Sequence, residues 1–390
     1  MDLLERSTEL AALEGALADV RASGRGSLVL IGGEAGIGKT ALLDVFCDAN
    51  HAVPTVRGGC DALFTPRPLG PVLEIADALG AGGDGPHELV QALARELQDR
   101  GPTFVVLEDL HWADEGTLDV VRMLARRLES LPVLLAATYR DDSLDRQHPL
   151  RLLLGELPSS RRVIRLTLAP LSAEAVATLA VHANSAALHR QTGGNPFFVT
   201  EVLAAGGDEL PTTVREAVLA RRARLDADAR RLLDAAAVVP PRAELDLLHA
   251  LVDGYPNGVD ECLSSGMLVA TDNALAFRHE IARVAVEESL SPHDRLELHR
   301  RALAALASAQ RPDLARLVHH AEAAGDHVAL LEYAPAAGER AAKLGSHREA
   351  AAHFERALQF ADDLDSERFV DLLERRSYEC YVTDQMDAAI

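Results

Sequence analysis

Eight consecutive residues near the start of the chain have the types and spacing that bind phosphate. They are Gly33, Glu34, Ala35, Gly36, Ile37, Gly38, Lys39 and Thr40, and they satisfy the pattern GxxxxGK[ST]. Glycines let successive backbone N–H groups turn inward around a β-phosphate, which the N-terminus of a following helix also favours. Lys39 can reach the β- and γ-phosphates, and the Thr40 hydroxyl can ligate Mg²⁺. The pattern predicts a P-loop that binds ATP or ADP with Mg²⁺ and contacts the nucleotide as far as Ala41.

Two acidic residues further along the chain are candidates for the metal and water site that such a loop needs. Glu108 and Asp109 directly follow the apolar run Phe104–Leu107. Beside a P-loop, one carboxylate holds the metal through water and the other orients the attacking water. By position we assign Glu108 to the metal and Asp109 to the water, and the reverse assignment stays open.

A third candidate is Arg140, which follows the apolar run that comes next in the chain. In P-loop ATPases of this kind, a strand lies between the P-loop strand and the acidic strand, and its end carries a polar sensor of the γ-phosphate. Arg140 can supply positive charge at that point. We therefore predict that it is a catalytic sensor residue.

Alternating strands and helices position these residues. Short apolar runs occur at Ser27–Gly33, Thr55–Gly59, Thr103–Asp109, Pro132–Arg140 and Val163–Leu168, and stretches of helical period at Ala41–Ala49, His87–Leu97 and Glu115–Leu128 lie between them. This alternation predicts a parallel sheet covered by helices on both faces, over residues 1–168.

The strand pattern stops after Pro170. Ser172 can cap a helix that runs to about His182, and a second helical block begins at Pro211. That block contains four helical stretches, the third at Ala243–Val252, and then a hairpin with its turn at Asp272-Asn273. Helices followed by a hairpin are typical of a winged helix.

From about Arg300 the chain is helical, with many alanines at helix-contact spacing. Gly345, Ala350, Phe354 and Ala357 have the spacing of the second helix of a tetratricopeptide repeat. A similar pattern begins again just before Ile390. Because a helical array needs a capping end, we expect the natural protein to continue beyond this residue.

Composition excludes several classes of protein. The net charge of −21 disfavours direct binding to a nucleic-acid backbone, and the four scattered cysteines (Cys47, Cys60, Cys262 and Cys380) indicate free thiols rather than a metal site. No long apolar span or signal peptide is evident, so we expect a cytoplasmic protein without a membrane partner. Only Lys39 and Lys343 among the 39 basic residues are lysines.

The run Leu107–Asp114 resembles the acidic box of the bacterial STAND ATPases, which are signal-transducing P-loop ATPases. Within this class, the run resembles most specifically that of the large ATP-binding LuxR-type regulators. Further matching motifs follow in family order: Thr138–Arg140, Gly193–Phe198 and Phe277–Glu280. Related ATPases commonly carry Asp at the position of Glu108, which is why the roles of the two acids stay open. We interpret His111 and Trp112, inside the acidic box, as loop-packing residues.

The resemblance implies an α/β P-loop domain (1–168), a helical lid (169–210), a winged helix (211–300) and a helical sensor array (301–390). It also implies that Pro196 packs against the adenine and that His279 contacts the β-phosphate of ADP. Arg6 falls where the family often has a Gly-Arg pair near the adenine, with Glu5 in place of the glycine.

The function implied by the resemblance is a regulatory switch with slow ATPase activity. ADP would hold the lid and winged helix closed, and exchange for ATP, permitted by a small-molecule or protein effector on the array, would allow self-association. Its transcriptional output would contact DNA only through a missing C-terminal domain.

Two other functions stay open. One is a turnover P-loop ATPase, either a motor or a kinase, although Cys60–Pro86 reads as a Pro/Gly-rich loop rather than an acceptor-substrate pocket. The other is direct DNA binding through the winged helix. Against it, the candidate recognition helix carries Glu244 and Asp246, which have the wrong sign for a phosphate surface.

Overall fold

The computed structural model describes residues 3–63, 65–83, 85–142, 144, 148–157, 162–180, 184–205, 213–252, 258–271, 273–309, 312–360 and 365–389. The chain forms two compact units, Met1–Ala169 with Leu331–Ile390, and Pro170–Leu330. The four domains predicted from the sequence stay a prediction. His182, Pro211, Asp272 and Ile390, which carry parts of the sequence predictions, lie outside the described residues.

A five-stranded parallel sheet forms the centre of the first unit. Its strands are β1 (Ser27–Gly32), β2 (Thr55–Gly59), β3 (Thr103–Glu108), β4 (Val133–Thr138) and β5 (Val163–Thr167). The order across the sheet is β2-β3-β4-β1-β5, and every neighbouring pair is parallel. The five strands coincide with the predicted apolar runs, and β4 lies between β1 and β3 as expected. The prediction of a parallel α/β sheet is therefore confirmed.

Helices cover both faces of this sheet. They are α1 (Ser7–Ser23), α2 (Lys39–Ala49), α3 (Gly70–Leu79), α4 (Pro86–Arg100), α5 (Glu115–Ala125) and α6 (Pro149–Glu156). In β3, Val105 and Leu107 join the core with α3, α4 and α5, whereas Phe104 and Val106 join the core with α1 and α2. Because alternate residues of one strand are buried on opposite faces, the whole strand is apolar, and this is why the strands were visible in the sequence.

One expectation about the first unit is wrong. The segment Cys60–Pro86 is not only a loop, because it contains α3, whose buried side chains include Val72, Ile75 and Leu79. Glycine and proline are at the start of this helix, where proline is tolerated, and they hide its helical character in the sequence. The lack of structure in this segment therefore no longer argues against a kinase.

The second unit is mainly helical. Its helices are α7 (Ala173–Leu179), α8 (Ser185–Thr192), α9 (Pro196–Ala205), α10 (Val214–Arg224), α11 (Ala227–Ala237), α12 (Leu245–Leu251), α13 (Val259–Ser264), α14 (Glu280–Ser289), α15 (Pro292–Ala307) and α16 (Leu314–Ala324). Ser172 caps α7 as predicted, since its side chain accepts a hydrogen bond from the backbone N–H of Ala175.

A small antiparallel sheet lies within the second unit. It consists of β6 (Arg242–Glu244), β7 (Leu268–Thr271) and β8 (Ala274–Phe277), in the order β6-β8-β7. The hairpin β7–β8 was predicted, but Ala243 and Glu244 of β6 were assigned to the start of a helix. That assignment is wrong, because α12 begins only at Leu245. A strand of three residues is too short to show a period of two in the sequence.

The remaining helices are α17 (His327–Lys343), most of which belongs to the first unit, α18 (His347–Leu358), α19 (Ser366–Val382) and α20 (Met386–Ala389). Ala350, Phe354 and Ala357, which carry the repeat-like spacing, are all buried. A Cβ atom added at Gly338 of α17 would lie 2.7 Å from the ring of Phe354 on α18. The helices α17 and α18 therefore pack closely. The helical character predicted for this part of the chain is confirmed.

Within the first unit, α18 packs against α5. Asp114, the N-cap of α5, accepts a hydrogen bond from the Ser346 hydroxyl at 2.6 Å. Arg348 and Glu115 form an ion pair at 3.7 Å. Glu349 is half-buried here, and its buried Oε2 has no hydrogen-bond partner. Burial, with Asp114 and Glu115 nearby, raises the pKa of Glu349 to about 8.

None of the helices in the described ranges is both long enough and apolar enough to span a lipid bilayer.

Candidate functional site

The P-loop connects β1 to α2 at the carboxyl end of the central sheet. Gly36 and Gly38 have φ angles of +76° and +99°, in the left-handed region that favours glycine. Gly38 is the N-cap residue of α2 and provides no side-chain cap. The first backbone N–H groups of this helix therefore remain available to an anion, and the helix dipole favours negative charge at the same point.

The Lys39 side chain folds back over the loop. Its ammonium donates hydrogen bonds to the carbonyl oxygens of Gly33 and Glu34, at 2.7 and 2.9 Å. Burial lowers the pKa of Lys39, Asp109 opposes that effect, and Arg140 adds to it. The ammonium is thus held at the loop, near both an acid and a second cation of the predicted site.

Thr40 and Glu108 lie side by side. The Thr40 hydroxyl donates a hydrogen bond of 3.0 Å to Glu108 Oε2. Mg²⁺ binds oxygen ligands in an octahedron at about 2.0–2.1 Å, so two adjacent ligands are about 2.9 Å apart. The spacing of these two oxygens therefore fits neighbouring ligands of one Mg²⁺ ion, and both are the hard oxygen donors that this ion prefers.

Arg57 of β2 supports the Glu108 carboxylate. Its Nη1 lies 3.1 Å from Glu108 Oε1 and 2.8 Å from Asp44 Oδ1. Burial raises the pKa of Glu108, whereas Arg57 and the hydroxyl of Thr40 oppose that rise. An opposite charge at this distance favours the ionised carboxylate that a metal needs.

Asp109 occupies an unusual backbone conformation directly after β3. Its φ angle is +58°, a region that Asp tolerates better than most residues, and a 3₁₀ turn, Leu110–Trp112, follows it. The backbone N–H of Asp109 donates a hydrogen bond of 2.9 Å to the hydroxyl of Thr138, the last residue of β4. Thr138 is 1% exposed, so this bond is shielded from water and fixes the position of Asp109 relative to β4.

His111 lies beside Asp109, with Nδ1 3.8 Å from Asp109 Oδ1. Its side chain is buried, and neither ring nitrogen has a hydrogen-bond partner. Burial lowers the pKa of His111 to about 3, and the positive charges of Arg140 and Lys39 contribute to the decrease. His111 therefore packs in the loop as predicted, and it also faces the predicted catalytic residues.

Arg6 is buried against the P-loop. Its guanidinium donates hydrogen bonds to the carbonyl oxygens of Ile37 and Ala169, at 3.2 and 2.7 Å. Its proposed contact with adenine stays a prediction. Glu5, which stands where the family often has glycine, has a φ angle of +54°, so the backbone keeps a conformation that suits glycine.

Pro196 and His279 belong to the second unit. Pro196 is the first residue of α9, and the next residue, Phe197, packs on the His279 ring with a centroid distance of 4.3 Å. Burial lowers the pKa of His279 to about 4, and Arg278 and Arg221 lower it further. The ring is therefore neutral near pH 7 and can donate one N–H. The nucleotide contacts of both residues stay predictions.

The first unit brings Lys39, Thr40, Glu108, Asp109 and Arg140 together at one end of the sheet. Two residues beside them, Arg57 and Thr138, were not assigned a role from the sequence. An arginine in β2 gives no local signal, because its partner Glu108 is a neighbour only through the pairing of β2 with β3. Thr138 belongs to the run that suggested Arg140, and its position at the end of β4 was the available signal.

One part of the chain matches a known protein family, and known proteins resemble the chain over most of its length. Residues 2–136 match the AAA ATPase domain family. An uncharacterised protein of Rhizobium meliloti (strain 1021) is 28% identical over 454 aligned positions, which cover 93% of this chain and 42% of that protein. The chain thus spans less than half the length of this relative.

Among solved structures, the chain resembles a Signal Transduction ATPase with Numerous Domains (STAND) with a tetratricopeptide repeat sensor from Pyrococcus horikoshii. The TM-score is 0.56 at 16% identity, over 96% of this chain and 62% of that one. A second similar structure is the Aeropyrum pernix ORC1 protein in complex with DNA, with a TM-score of 0.40 at 17% identity, over 74% of this chain and 93% of that one. The first of these similarities shows that the fold of the chain is STAND-like.

Proposed function

We propose that this chain is a nucleotide-controlled regulatory switch that hydrolyses ATP slowly with Mg²⁺. The observation that carries the proposal is the 3.0 Å approach of the Thr40 hydroxyl to Glu108. It joins the P-loop to the acidic end of β3 with the spacing of neighbouring Mg²⁺ ligands. The solved structure with the similar fold is described as a signal transduction ATPase, and the signalling role is proposed by analogy with it.

Each predicted site residue of the first unit has a defined task in this proposal. The P-loop N–H groups and Lys39 would bind the phosphates. Thr40 and Glu108 would hold Mg²⁺, and this ion would supply positive charge at the transferred phosphoryl group. Asp109, whose backbone is fixed by Thr138, would orient the attacking water and help to hold the metal. Arg140 supplies positive charge toward the γ-phosphate.

The finer assignment rests on the sequence motifs. We infer that the second unit contains a winged helix, that the C-terminal helices are a tetratricopeptide-type sensor for an effector, and that the ATP form self-associates. The motifs favour a large ATP-binding LuxR-type transcriptional regulator. A DNA-binding role is not assigned to α12, because Glu244 at its start and Asp246 within it carry negative charge.

Sedimentation and turnover measured on the same preparation test the proposal. We expect turnover well below one per second, and a larger sedimentation coefficient in a non-hydrolysable ATP analogue than in ADP. Turnover of about one per second or faster, with the same sedimentation in both nucleotides, would favour a motor or a kinase instead.

A further inference from the structure

Three histidines of the second unit lie together outside the nucleotide site. His299 is on α15, and His319 and His320 are adjacent on α16. Each offers one ring nitrogen, and these three atoms lie within 4.8 Å of one another. Across the part of the chain that the structure describes, this is the one group of three or more His, Cys, Asp or Glu side chains close enough to share a metal ion.

The rings converge from two helices. His299 Nδ1 and His320 Nδ1 are 2.9 Å apart. The centroid of the His299 ring lies 5.6 Å from that of the His319 ring and 5.1 Å from that of the His320 ring. Three nitrogens bound tetrahedrally to Zn²⁺ at about 2.0–2.1 Å are about 3.3 Å apart. Small side-chain adjustments therefore bring the three nitrogens to the spacing of metal ligands.

Burial makes this arrangement unusual for a group of polar rings. His299 and His320 are each 1% exposed, and the buried Nε2 of His319 has no hydrogen-bond partner. Buried polar atoms are nearly always hydrogen-bonded, so an unpartnered nitrogen beside two other imidazoles needs an explanation. A bound cation provides one, since neutral imidazoles are the preferred ligands of zinc-type metals.

Glu287 of α14 is placed to support the group from outside. Its Oε1 lies 3.7 Å from His299 Nε2, on the side of the ring away from the Nδ1 that faces His320. Arg283 pairs with the other oxygen of Glu287 at 2.5 Å. A carboxylate on the outer nitrogen of a histidine fixes the ring tautomer, which leaves the inner nitrogen free to bind metal.

We propose that His299, His319 and His320 bind one Zn²⁺ ion and that Glu287 positions the His299 ring. Three histidines and a water molecule complete the tetrahedral set that this ion prefers. Such an ion fastens α15 to α16, so metal binding would stabilise the second unit. The arrangement without metal is a hydrogen bond between the two Nδ1 atoms, and the experiments below distinguish the two.

Metal titration of variants is the first test. Chelator-treated protein, without nucleotide or Mg²⁺, is titrated with Zn²⁺ by calorimetry, and its melting temperature is recorded with and without the ion. We expect one Zn²⁺ per chain, a higher melting temperature with Zn²⁺, and loss of both effects in His299→Gln and His320→Gln. Glu287→Gln should weaken binding by about 10–100-fold.

The matched control is His293→Gln, because His293 is exposed on the same helix α15. It should bind Zn²⁺ like the wild type. Unchanged binding in both His299→Gln and His320→Gln, or an equal loss in His293→Gln, would overturn the site.

A second measurement uses only the unmodified protein, in case the buried variants do not fold. X-ray absorption of the one-equivalent Zn²⁺ complex should show imidazole nitrogens at about 2.0–2.1 Å. A first shell of sulfur at about 2.3 Å, or of oxygen alone, would place the ion elsewhere and exclude the proposal.

Discussion

Lys39 is the single cation that the P-loop itself contributes, and its contacts explain how it is kept in place. Two loop carbonyls hold the ammonium, at Gly33 and Glu34. A phosphate would offer the same ammonium charged oxygens, and hydrogen bonds between ionised partners are roughly twice as strong as neutral ones. The lysine is therefore held at the point where the phosphates are predicted to bind.

Replacement of this side chain gives the first prediction. Lys39→Ala should abolish binding of ATP and ADP, because the side chain is the cation of the loop that binds the phosphates. The fold should stay intact, because only two hydrogen bonds to loop carbonyls are lost. Calorimetric titration measures the affinities, and circular dichroism measures the fold. The control is Lys343→Ala, which replaces the other lysine, an exposed residue of α17. Equal affinities for wild type and Lys39→Ala would contradict the P-loop assignment.

The two acids should separate metal binding from hydrolysis. Asp109→Asn should retain ATP binding and slow hydrolysis by a factor of about 100 or more, because it removes a charge that positions the attacking water. Glu108→Gln should weaken Mg²⁺-dependent binding, since the carboxylate is adjacent to Thr40. Affinity with and without Mg²⁺, together with single-turnover rates, distinguishes them. If the two results are exchanged, the roles of the two acids are reversed.

Glu5 offers a prediction about backbone strain. Glu5 has a φ angle of +54°, and this left-handed conformation costs a non-glycine residue about 1–2 kcal/mol. Glycine avoids that cost but loses more backbone entropy on folding. Glu5→Gly should therefore stabilise the protein by about 0.5–1 kcal/mol. Thermal denaturation measures the change. The control Glu9→Gly, in the first turn of α1, should instead destabilise by about 1 kcal/mol. Destabilisation by both would show that Glu5 is not strained.

At the scale of elements, the contact between α5 and α18 depends on buried acids. Asp114 caps α5 and accepts the Ser346 hydroxyl, while Glu349 of α18 lies in the same contact. Arg348 of α18 is the cation here, and it pairs with Glu115. A buried carboxyl without a charge partner prefers its protonated form, so this contact should respond to pH.

The direction in which stability changes with pH follows from the raised pKa of Glu349. The native state holds a proton on Glu349 that the unfolded state has released, so this residue makes stability fall as pH rises from about 4.5 to about 8. Glu349→Gln should remove that loss and gain stability relative to wild type across this window, by a few kcal/mol at most. Melting temperatures at several pH values measure the difference.

The control for this prediction is Glu355→Gln, on the same helix. Its partner is Arg376, and its side chain is 57% exposed, so its effect should be small at every pH. A stability difference for Glu349→Gln that is constant with pH would mean that Glu349 is ionised throughout.

At the scale of the whole molecule, a switch requires that ADP and ATP bind its states differently. If His279 contacts ADP, as the family motif implies, His279→Ala should weaken ADP binding by roughly 5–150-fold and ATP binding much less. The variant should then also self-associate without effector. Paired titrations with both nucleotides and sedimentation in each measure these effects.

Two further variants separate this role from packing on Phe197. His279→Phe keeps a ring beside Phe197 but removes the N–H donor, so it should weaken ADP binding as alanine does. His249→Ala, at an exposed position of α12, should change neither affinity. Equal losses for both nucleotides in His279→Ala, with a lower melting temperature and unchanged association, would identify His279 as a core residue only.

Local patterns in the sequence were sufficient to predict the strands and the P-loop. The strands of the parallel sheet are buried on both faces, so each is a continuous apolar run, and the loop depends on adjacent residues from Gly33 to Thr40. Both signals lie within a few consecutive positions. The same reasoning failed for β6, which is too short to have a period, and for α3, which begins with Gly70 and Pro71.

Contacts between distant parts of the chain were decided only by the tertiary structure. Arg57 reaches Glu108 because β2 pairs with β3, and His299 meets His320 because α15 packs against α16. No residue near Arg57 or His299 in the sequence indicates these partners. Pairing and packing depend on many weak apolar contacts summed over whole elements, whereas a motif depends on the chemistry of neighbouring residues. The chain thus encodes its phosphate-binding loop locally, while the support for Glu108 and the histidine group arise only when the elements have packed.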